Sequence, residues 1–230
     1  MVRTTHVLFD MDGLLLEDPY SDANNKILAR YGLVYTWEVK QKIMGHKETD
    51  AAKLFLQHYK IPMSPEAYLT ERKRILAELY PYCKPLPGVM KLVQHLKEHN
   101  VPICVATSST RDAFIMKSSK NEELFRHFDG NVTCSSDGHI QRGKPAPDLF
   151  LAGANSLGLQ TDVGKNNKNC LVFEDSPMGV KAGLVANMNV VWIPDENLTL
   201  DEDLVKRCVK VLRSMEDFVP EEFGLPPYPL

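Results

Sequence analysis

The sequence predicts an α/β fold, a doubly wound parallel sheet with an α-helical domain inserted after its first strand. Short apolar runs typical of strands buried on both faces recur along the chain, and amphipathic helical patterns separate them. One long stretch after the first of these runs has helical periodicity and no strand pattern. The sheet is therefore expected to form from both ends of the chain, with the helical domain between them.

The first strand is predicted at Val7–Phe9, and two carboxylates, Asp10 and Asp12, follow it before Gly13. An open parallel sheet binds its ligands beyond the carboxyl ends of the strands. Like charges held this close raise each other's proton affinity, so a divalent cation is expected to balance them. The pattern predicts a metal-assisted site in which one carboxylate attacks and the other transfers protons.

Residues 17–84 are predicted to form the α-helical domain. One helix is expected from Trp37 to Met44, and another begins at Ser64 and Pro65, a favourable N-cap followed by proline at the first helical position. A further helix lies between these two, with apolar residues at helical spacing: Ala52, Phe55, Leu56 and Tyr59. The proline-rich segment 81–88 ends the insertion, which leaves 1–16 and 85–230 as the core.

Strands and helices alternate from Gly88 onward. Strands are predicted at 101–106, 131–134, 170–173 and 190–193, and amphipathic helices at 89–96 and 150–157. This alternation is the pattern of a doubly wound sheet. The proline-rich segment 220–230 is expected to be irregular.

Polar residues follow three further strands at the same predicted edge. Thr107, Ser108 and Ser109 come after the second strand, where hydroxyls and the N–H groups of a helix start would hold a phosphate. Lys144 follows the third strand between turn-forming residues, and Glu174 with Asp175 follows the fourth. Each alone is typical of a cap, a turn or a solvated surface. Their place at successive strand ends favours a common site, with carboxylate ligands suited to Mg²⁺.

Bulk composition excludes several classes of protein. The 230 residues carry a formal charge of −3, which lacks the basic excess of a nucleic-acid-binding protein, and no apolar run is long enough to span a membrane. The first six residues lead directly into the first strand, so no signal peptide is predicted. Five widely spaced cysteines favour reduced thiols and a cytoplasmic or nuclear location. A monomer is expected.

Taken together, four motifs resemble those of the haloacid dehalogenase (HAD) superfamily: Asp10–Gly13, Ala106–Ser109, Gly143–Asp148 and Phe173–Ser176. The resemblance implies a Rossmann-like core with a small α-helical cap. Three shorter segments, 13–16, 43–45 and 223–226, are similar to the eukaryotic pseudouridine-5′-phosphatase group, and similar plant sequences are assigned to glycerol 3-phosphate. The implied activity is Mg²⁺-dependent hydrolysis of a small phosphorylated metabolite, with pseudouridine 5′-phosphate as the expected substrate.

The resemblance also implies roles for the motif residues. Asp10 would attack phosphorus and form an aspartyl-phosphate, and Asp12 would protonate the leaving alcohol and then deprotonate water. Thr107 and Lys144 would hold phosphoryl oxygens. The expected Mg²⁺ ligands are Asp10, the backbone carbonyl of Asp12, Asp175 and, directly or through hydrogen bonds, Glu174.

Substrate contacts are expected outside the four catalytic residues as well. Ser108 and Ser109 are assigned to the phosphate, and Glu17 lies in a hinge about two residues shorter than is usual in the superfamily. The insertion offers one candidate specificity loop, which a helix end followed by a solvated turn would explain equally well. Its substrate-binding residues are Gly45, His46 and Lys47.

Other functions stay open from the residues alone. A glycerol-3-phosphate or sugar-phosphate phosphatase would use the same residues, as would a phosphomutase that keeps water away from the aspartyl-phosphate. A catalytically silent binding protein would not require the intact motifs. The pattern His95-x-x-Glu98-His99 matches a short zinc-protease signature, but it is interpreted as the solvated rim of an amphipathic helix.

Overall fold

The structure, a computed structural model, describes residues 3–44 and 48–229. It divides into two compact units, one of Met1–Glu17 with Lys84–Leu230 and the other of Asp18–Cys83. Glu17 and Lys84 belong to the first unit, where they pair: Glu17 N donates to Lys84 O at 2.9 Å, and Lys84 N donates to the Glu17 carboxylate at 3.2 Å. Three residues of the candidate specificity loop, which runs from Gly45 to Glu48, lie outside the described residues: Gly45, His46 and Lys47.

In the described residues of the Asp18–Cys83 unit, the regular structure is helical. Its helices are α1 (Tyr20–Ala29), α2 (Trp37–Ile43), α3 (Glu48–Tyr59) and α4 (Pro65–Leu79). As predicted, α4 begins at Pro65 behind Ser64, whose hydroxyl accepts a hydrogen bond from Ala67 N at 3.1 Å.

Aromatic packing and a buried hydrogen bond link three of these helices, α1, α3 and α4. The ring of Phe55 stacks on that of Tyr68 with centroids 4.7 Å apart, and the Tyr68 hydroxyl donates to Asn24 Oδ1 at 2.7 Å. Asn24 is buried in α1. The sequence predicts no separate helix there, because a polar residue at this buried position interrupts the apolar spacing.

A six-stranded sheet, parallel in every described pairing, forms the centre of the other unit and confirms the predicted α/β fold. The strands run in the order β3-β2-β1-β4-β5-β6. Their ranges are β1 His6–Phe9, β2 Ile103–Thr107, β3 Val132–Cys134, β4 Cys170–Glu174, β5 Asn189–Trp192 and β6 Lys210–Val211. Register pairs Phe9 with both Val105 and Phe173, so β2 continues two residues and β4 one residue beyond the end of β1.

Helices between the strands bury both faces of the sheet: α5 (Val89–Glu98), α6 (Arg111–Ser118), α7 (Glu122–Phe125), α8 (Asp148–Ser156), α9 (Pro177–Val185) and α10 (Glu202–Arg207). Every residue of β2 and β4 is buried, which explains their uninterrupted apolar runs. Phe9 stacks on Phe173 at 5.0 Å beneath the carboxyl edge of the sheet. No helix of the described residues is both long and apolar enough to cross a membrane.

The C-terminal segment departs from the prediction. A 3₁₀ helix forms at Pro220–Phe223, and Thr4 N donates to Phe223 O at 3.0 Å. Further along, Pro226 O lies 2.9 Å from Nε2 of His95, a residue only 4% exposed. The interpretation of His95 as part of a solvated rim is therefore wrong, because the tail covers that side of α5.

Candidate active site

The carboxyl ends of β1, β2 and β4 bring the predicted motifs together. Asp10 directly follows β1, Thr107 ends β2 and Glu174 ends β4. Asp10 N donates to Phe173 O at 3.0 Å, which extends the β1–β4 ladder to the first carboxylate. The side chains of three motifs therefore start from adjacent points on one sheet edge.

The carboxylate of Asp10 is buried beside two others. Asp10 is 6% exposed, and its Oδ1 accepts a hydrogen bond from Nζ of Lys144. Burial raises the pKa of Asp10 to about 7; Glu174 and Asp12 raise it as well, while Lys144 opposes them. These carboxylates therefore carry more negative charge than Lys144 alone can balance.

Lys144 reaches the site from the loop between β3 and α8. Arg142 anchors that loop, since its backbone N donates to the Asp148 carboxylate at 3.1 Å and its Nη2 does so at 2.8 Å. Nζ of Lys144 then pairs with Asp10 and, at 2.6 Å, with Glu174 Oε1. Burial alone would lower the pKa of Lys144, but these two carboxylates raise it above its usual range. Lys144 is therefore a fixed positive charge beside Asp10.

Glu174 is fully buried and anchors the loop that follows β4. Its Oε2 accepts from Asp175 N at 3.0 Å, Ser176 N at 3.0 Å and Ser176 Oγ at 3.1 Å, while Oε1 faces Lys144. Gly179 is needed here because a Cβ at that position would lie 1.6 Å from Oε1. The resemblance leaves open whether Glu174 binds metal directly. In the structure, its carboxylate accepts hydrogen bonds from Lys144 and from the two residues that precede α9.

Three carboxylates could hold a metal ion. Asp10, Glu174 and Asp175 each offer one oxygen, and these oxygens lie within 4.8 Å of one another. Trp192 Nε1 donates to Asp175 O at 2.8 Å and fixes its backbone. A Cβ at Gly13 would lie 2.5 Å from Asp175 Oδ2, so glycine at this position avoids a clash with that carboxylate. An all-oxygen donor set with excess negative charge fits Mg²⁺.

Thr107 and Ser108 lie between β2 and α6. Thr107 is buried, and its Oγ1 accepts from Ser109 N at 3.0 Å, so its hydroxyl hydrogen remains for a second partner. Ser108 is exposed. The predicted helix start is present, with Thr110 as the N-cap of α6. This turn has the hydroxyl and the N–H groups expected of a phosphate-binding loop.

Ser109 and Asp12 contact each other through their side chains. Ser109 Oγ donates to Asp12 Oδ2 at 2.8 Å, and Nζ of Lys117 donates to Asp12 Oδ1 at 2.5 Å and to Ser109 Oγ at 2.9 Å. The Ser109 hydroxyl, which was predicted to bind substrate, therefore donates its hydrogen bond to Asp12. No motif marked Lys117; the available signal was its position four residues after Ala113, on the buried face of α6.

Glu17 lies where the chain leaves the core. Its carboxylate accepts from Lys84 N at 3.2 Å, and the neighbouring Leu16 forms an antiparallel bridge with Pro85. The structure places this predicted substrate contact on the backbone of the returning chain. Glu17 thereby joins the chain segment that leaves the core at residue 17 to the segment that returns at residue 84.

Comparison with known proteins agrees with this geometry. Residues 4–187 match the family model described as haloacid dehalogenase-like hydrolase. A probable pseudouridine-5′-phosphatase of Drosophila melanogaster is 40% identical over 228 residues, which cover 98% of this chain and 96% of the relative. The protein (DL)-glycerol-3-phosphatase 2 of Arabidopsis thaliana is 40% identical over 228 residues, covering 97% and 92%.

A solved structure shares the fold. It is a HAD family hydrolase of Deinococcus radiodurans with bound phosphate and sodium, with a TM-score of 0.80 at 23% identity over 99% of this chain and 100% of its own. The family match spans well over half of the chain and includes Asp10, Thr107, Lys144 and Asp175. The chain therefore belongs to the haloacid dehalogenase-like hydrolase family and is a phosphoric monoester hydrolase.

Proposed function

We propose that this enzyme is a Mg²⁺-dependent phosphatase that dephosphorylates a small metabolite through an aspartyl-phosphate at Asp10. The observation that carries the proposal is the position of the Asp10 carboxylate. It is buried, Lys144 holds its Oδ1, and it shares a cluster of oxygen donors with Glu174 and Asp175. Such an arrangement suits phosphoryl transfer, in which positioning and charge stabilisation dominate catalysis.

In the first step, Asp10 Oδ2 attacks phosphorus while Lys144 holds Oδ1. The bond from phosphorus to the leaving oxygen breaks, and Asp12 gives its proton to that oxygen, so a neutral alcohol departs. Lys144 and the Thr107 hydroxyl hold phosphoryl oxygens as their charge shifts. The products are the alcohol and a phosphorylated Asp10.

In the second step, Asp12 takes a proton from a water molecule as that water attacks phosphorus. The bond between phosphorus and Asp10 breaks, inorganic phosphate leaves, and both aspartates return to their starting states. Asp10, Asp175 and the backbone carbonyl of Asp12 would hold the Mg²⁺, with Glu174 contributing directly or through hydrogen bonds. When bound, the ion offsets the repulsion between the carboxylates and the incoming phosphate.

We propose pseudouridine 5′-phosphate as the substrate, which the name of the Drosophila relative supports. Glycerol 3-phosphate is the second candidate, because the Arabidopsis relative matches at the same 40% identity. Both are alkyl phosphate esters whose alcohols leave poorly without a proton. Asp12 would supply that proton for either substrate.

The test is Mg²⁺-dependent phosphate release from a panel of esters, with Asp10→Asn as the inactive control and Asp203→Asn as an exposed Asp-to-Asn control. The panel includes pseudouridine 5′-phosphate, uridine 5′-phosphate, glycerol 3-phosphate and hexose phosphates. Preference for one ester of about 100-fold in kcat/KM, or about 2.7 kcal/mol, identifies it as the substrate. Absence of phosphate release from every ester, with the wild type equal to Asp10→Asn, overturns the proposal. Turnover only with an added sugar bisphosphate would indicate a phosphomutase instead.

A further inference from the structure

Lys117 is a buried lysine to which the proposed reaction gives no role. It lies near the end of α6, its side chain is 0% exposed, and its Nζ contacts Asp12 Oδ1 and Ser109 Oγ. The Asn121 amide donates to Lys117 O at 2.8 Å and holds the backbone of the same turn. Lys117 is thus fixed at both its backbone and its charged end.

Such a residue is costly to place in a core. A buried ion pair loses the hydration of both charges, and apolar side chains of similar size often give equal or greater stability. The position on α6, four residues from the buried Ala113, would suit an apolar side chain. We therefore expect that a lysine is present here because its ammonium group contacts Asp12, and not because its side chain fills the core.

The contacts with Lys117 and Ser109 fix the orientation of Asp12. Lys117 holds Oδ1 at 2.5 Å and Ser109 holds Oδ2 at 2.8 Å, so the carboxylate can rotate about neither side-chain bond without losing a contact. Asp12 precedes Gly13, which has a positive φ of 83°, and it belongs to no regular strand or helix. Without this pair the side chain would be constrained only by the loop. Each oxygen keeps a second lone pair through which a proton can move.

We propose that Lys117, together with Ser109, is the positioning residue that aims the Asp12 carboxylate at the leaving oxygen of the substrate. The inference rests on the proposed phosphatase reaction and adds to it the residue that orients its proton donor. Because the Lys117 side chain is 0% exposed and contacts Asp12, it acts on the reaction through Asp12. Through Asp12 it affects protonation of the departing alcohol in the first step and deprotonation of water in the second, and only the first of these enters kcat/KM.

The test compares leaving groups. An alkyl phosphate needs a proton on its leaving oxygen, whereas p-nitrophenolate leaves without one. We use kcat/KM because it reports the steps up to release of the alcohol. For Lys117→Met, kcat/KM for the best alkyl ester of the panel should fall about 100-fold, while the value for p-nitrophenyl phosphate changes less than about threefold. Ser109→Ala, a smaller change, should show the same difference between esters to a lesser degree and provides the test if Lys117→Met does not fold.

Two controls separate positioning from stability. Asn167→Ala removes a buried amide that donates to Ala186 O at 2.8 Å. Asn167 precedes β4, at the end of that strand opposite to Glu174, so this variant should leave both kcat/KM values unchanged. In an Asp12→Ala background, adding Lys117→Met should lower the alkyl-ester kcat/KM by no more than about twofold, because Lys117 acts through Asp12.

The outcomes are distinct. Equal losses on both esters, or a further large loss in the Asp12→Ala background, overturn the positioning role and leave the phosphatase proposal intact. A wild type that releases no phosphate and matches Asp10→Asn overturns both. A loss selective for the alkyl ester that disappears in the Asp12→Ala background establishes the role.

Discussion

The carboxylate of Glu174 accepts a 2.6 Å hydrogen bond from Nζ of Lys144, and both side chains are buried. The same Nζ pairs with Asp10, so one cation serves two carboxylates. Removing one member of a buried ion pair is costly because the other remains without compensation. This pair is therefore expected to contribute to both stability and catalysis.

Lys144→Met should lower kcat by about 100- to 1000-fold, since it removes a donor to the phosphoryl group. It should also lower the free energy of unfolding in Mg²⁺-free buffer by about 3 kcal/mol or more, because two buried carboxylates lose their cation. Phosphate release and urea unfolding measure the two effects. As a control, Lys97→Met breaks an exposed pair with Asp129 and should cost less than about 1 kcal/mol, with kcat unchanged. Similar small losses from both variants would contradict the role of Lys144.

Mg²⁺ should raise the thermal unfolding temperature of the wild type, because an ion that binds only the folded state stabilises it by mass action. At 100 times the dissociation constant the gain is about 2.7 kcal/mol. Asp175→Asn should lose most of the shift, whereas Asp203→Asn, on an exposed part of α10, should keep it. Chelation should abolish phosphate release, and readdition of Mg²⁺ should restore it. An equal shift in Asp175→Asn would place the ion elsewhere.

Two serine N-caps allow a matched comparison. Ser64 and Ser176 each precede a proline at a helix start and accept a hydrogen bond at 3.1 Å from the backbone, but Ser176 Oγ also donates to Glu174. Each change to alanine should cost about 1 kcal/mol of unfolding free energy. Only Ser176→Ala should also lower kcat, since it loosens the carboxylate that holds Lys144. If Ser64→Ala lowered kcat as much as Ser176→Ala does, the effect of Ser176→Ala could not be attributed to its hydrogen bond with Glu174.

The cysteines should be unreactive in the folded protein. Burial raises the pKa of Cys208 to about 11 and that of Cys170 to about 12. At pH 8 the reactive thiolate fraction of Cys208 is then about 100-fold smaller than for a thiol of pKa 9, and labelling should accelerate about tenfold for each pH unit up to 11. Titration with a disulfide reagent should show slow labelling in the native protein and all five thiols in urea. The Cys208→Ser variant shows how much of the labelling of the native protein occurs at Cys208. Fast labelling that persists in this variant would contradict the burial of the other four cysteines.

Much of the core was predictable because apolar runs and strand ends are local features. The runs preceding Asp10, Thr107 and Glu174 predicted the three strands whose ends form the site, and parallel pairing then requires those ends to meet. Strand β6 was not predicted, since Lys210 and Val211 form only a two-residue edge without an apolar run of their own.

Contacts between distant segments were harder to predict. Lys117 and Asp12 are 105 residues apart, and a lysine in a polar helix usually indicates a solvated surface. Burial of His95 depends on a tail more than a hundred residues later, with its partner carbonyl at Pro226. In both cases a polar group is buried by a partner that no local pattern identifies.

The central place of β1 in the sheet has a consequence for synthesis of the chain. Strand β1, which Asp10 directly follows, is made before its two neighbours, residues 103–107 and 170–174. On the ribosome, β1 has no sheet partner until residues 103–107 have been made, and Glu174 arrives later still. Nascent chains must therefore carry an exposed apolar strand until those partner strands emerge, which is when binding by a chaperone would be most useful.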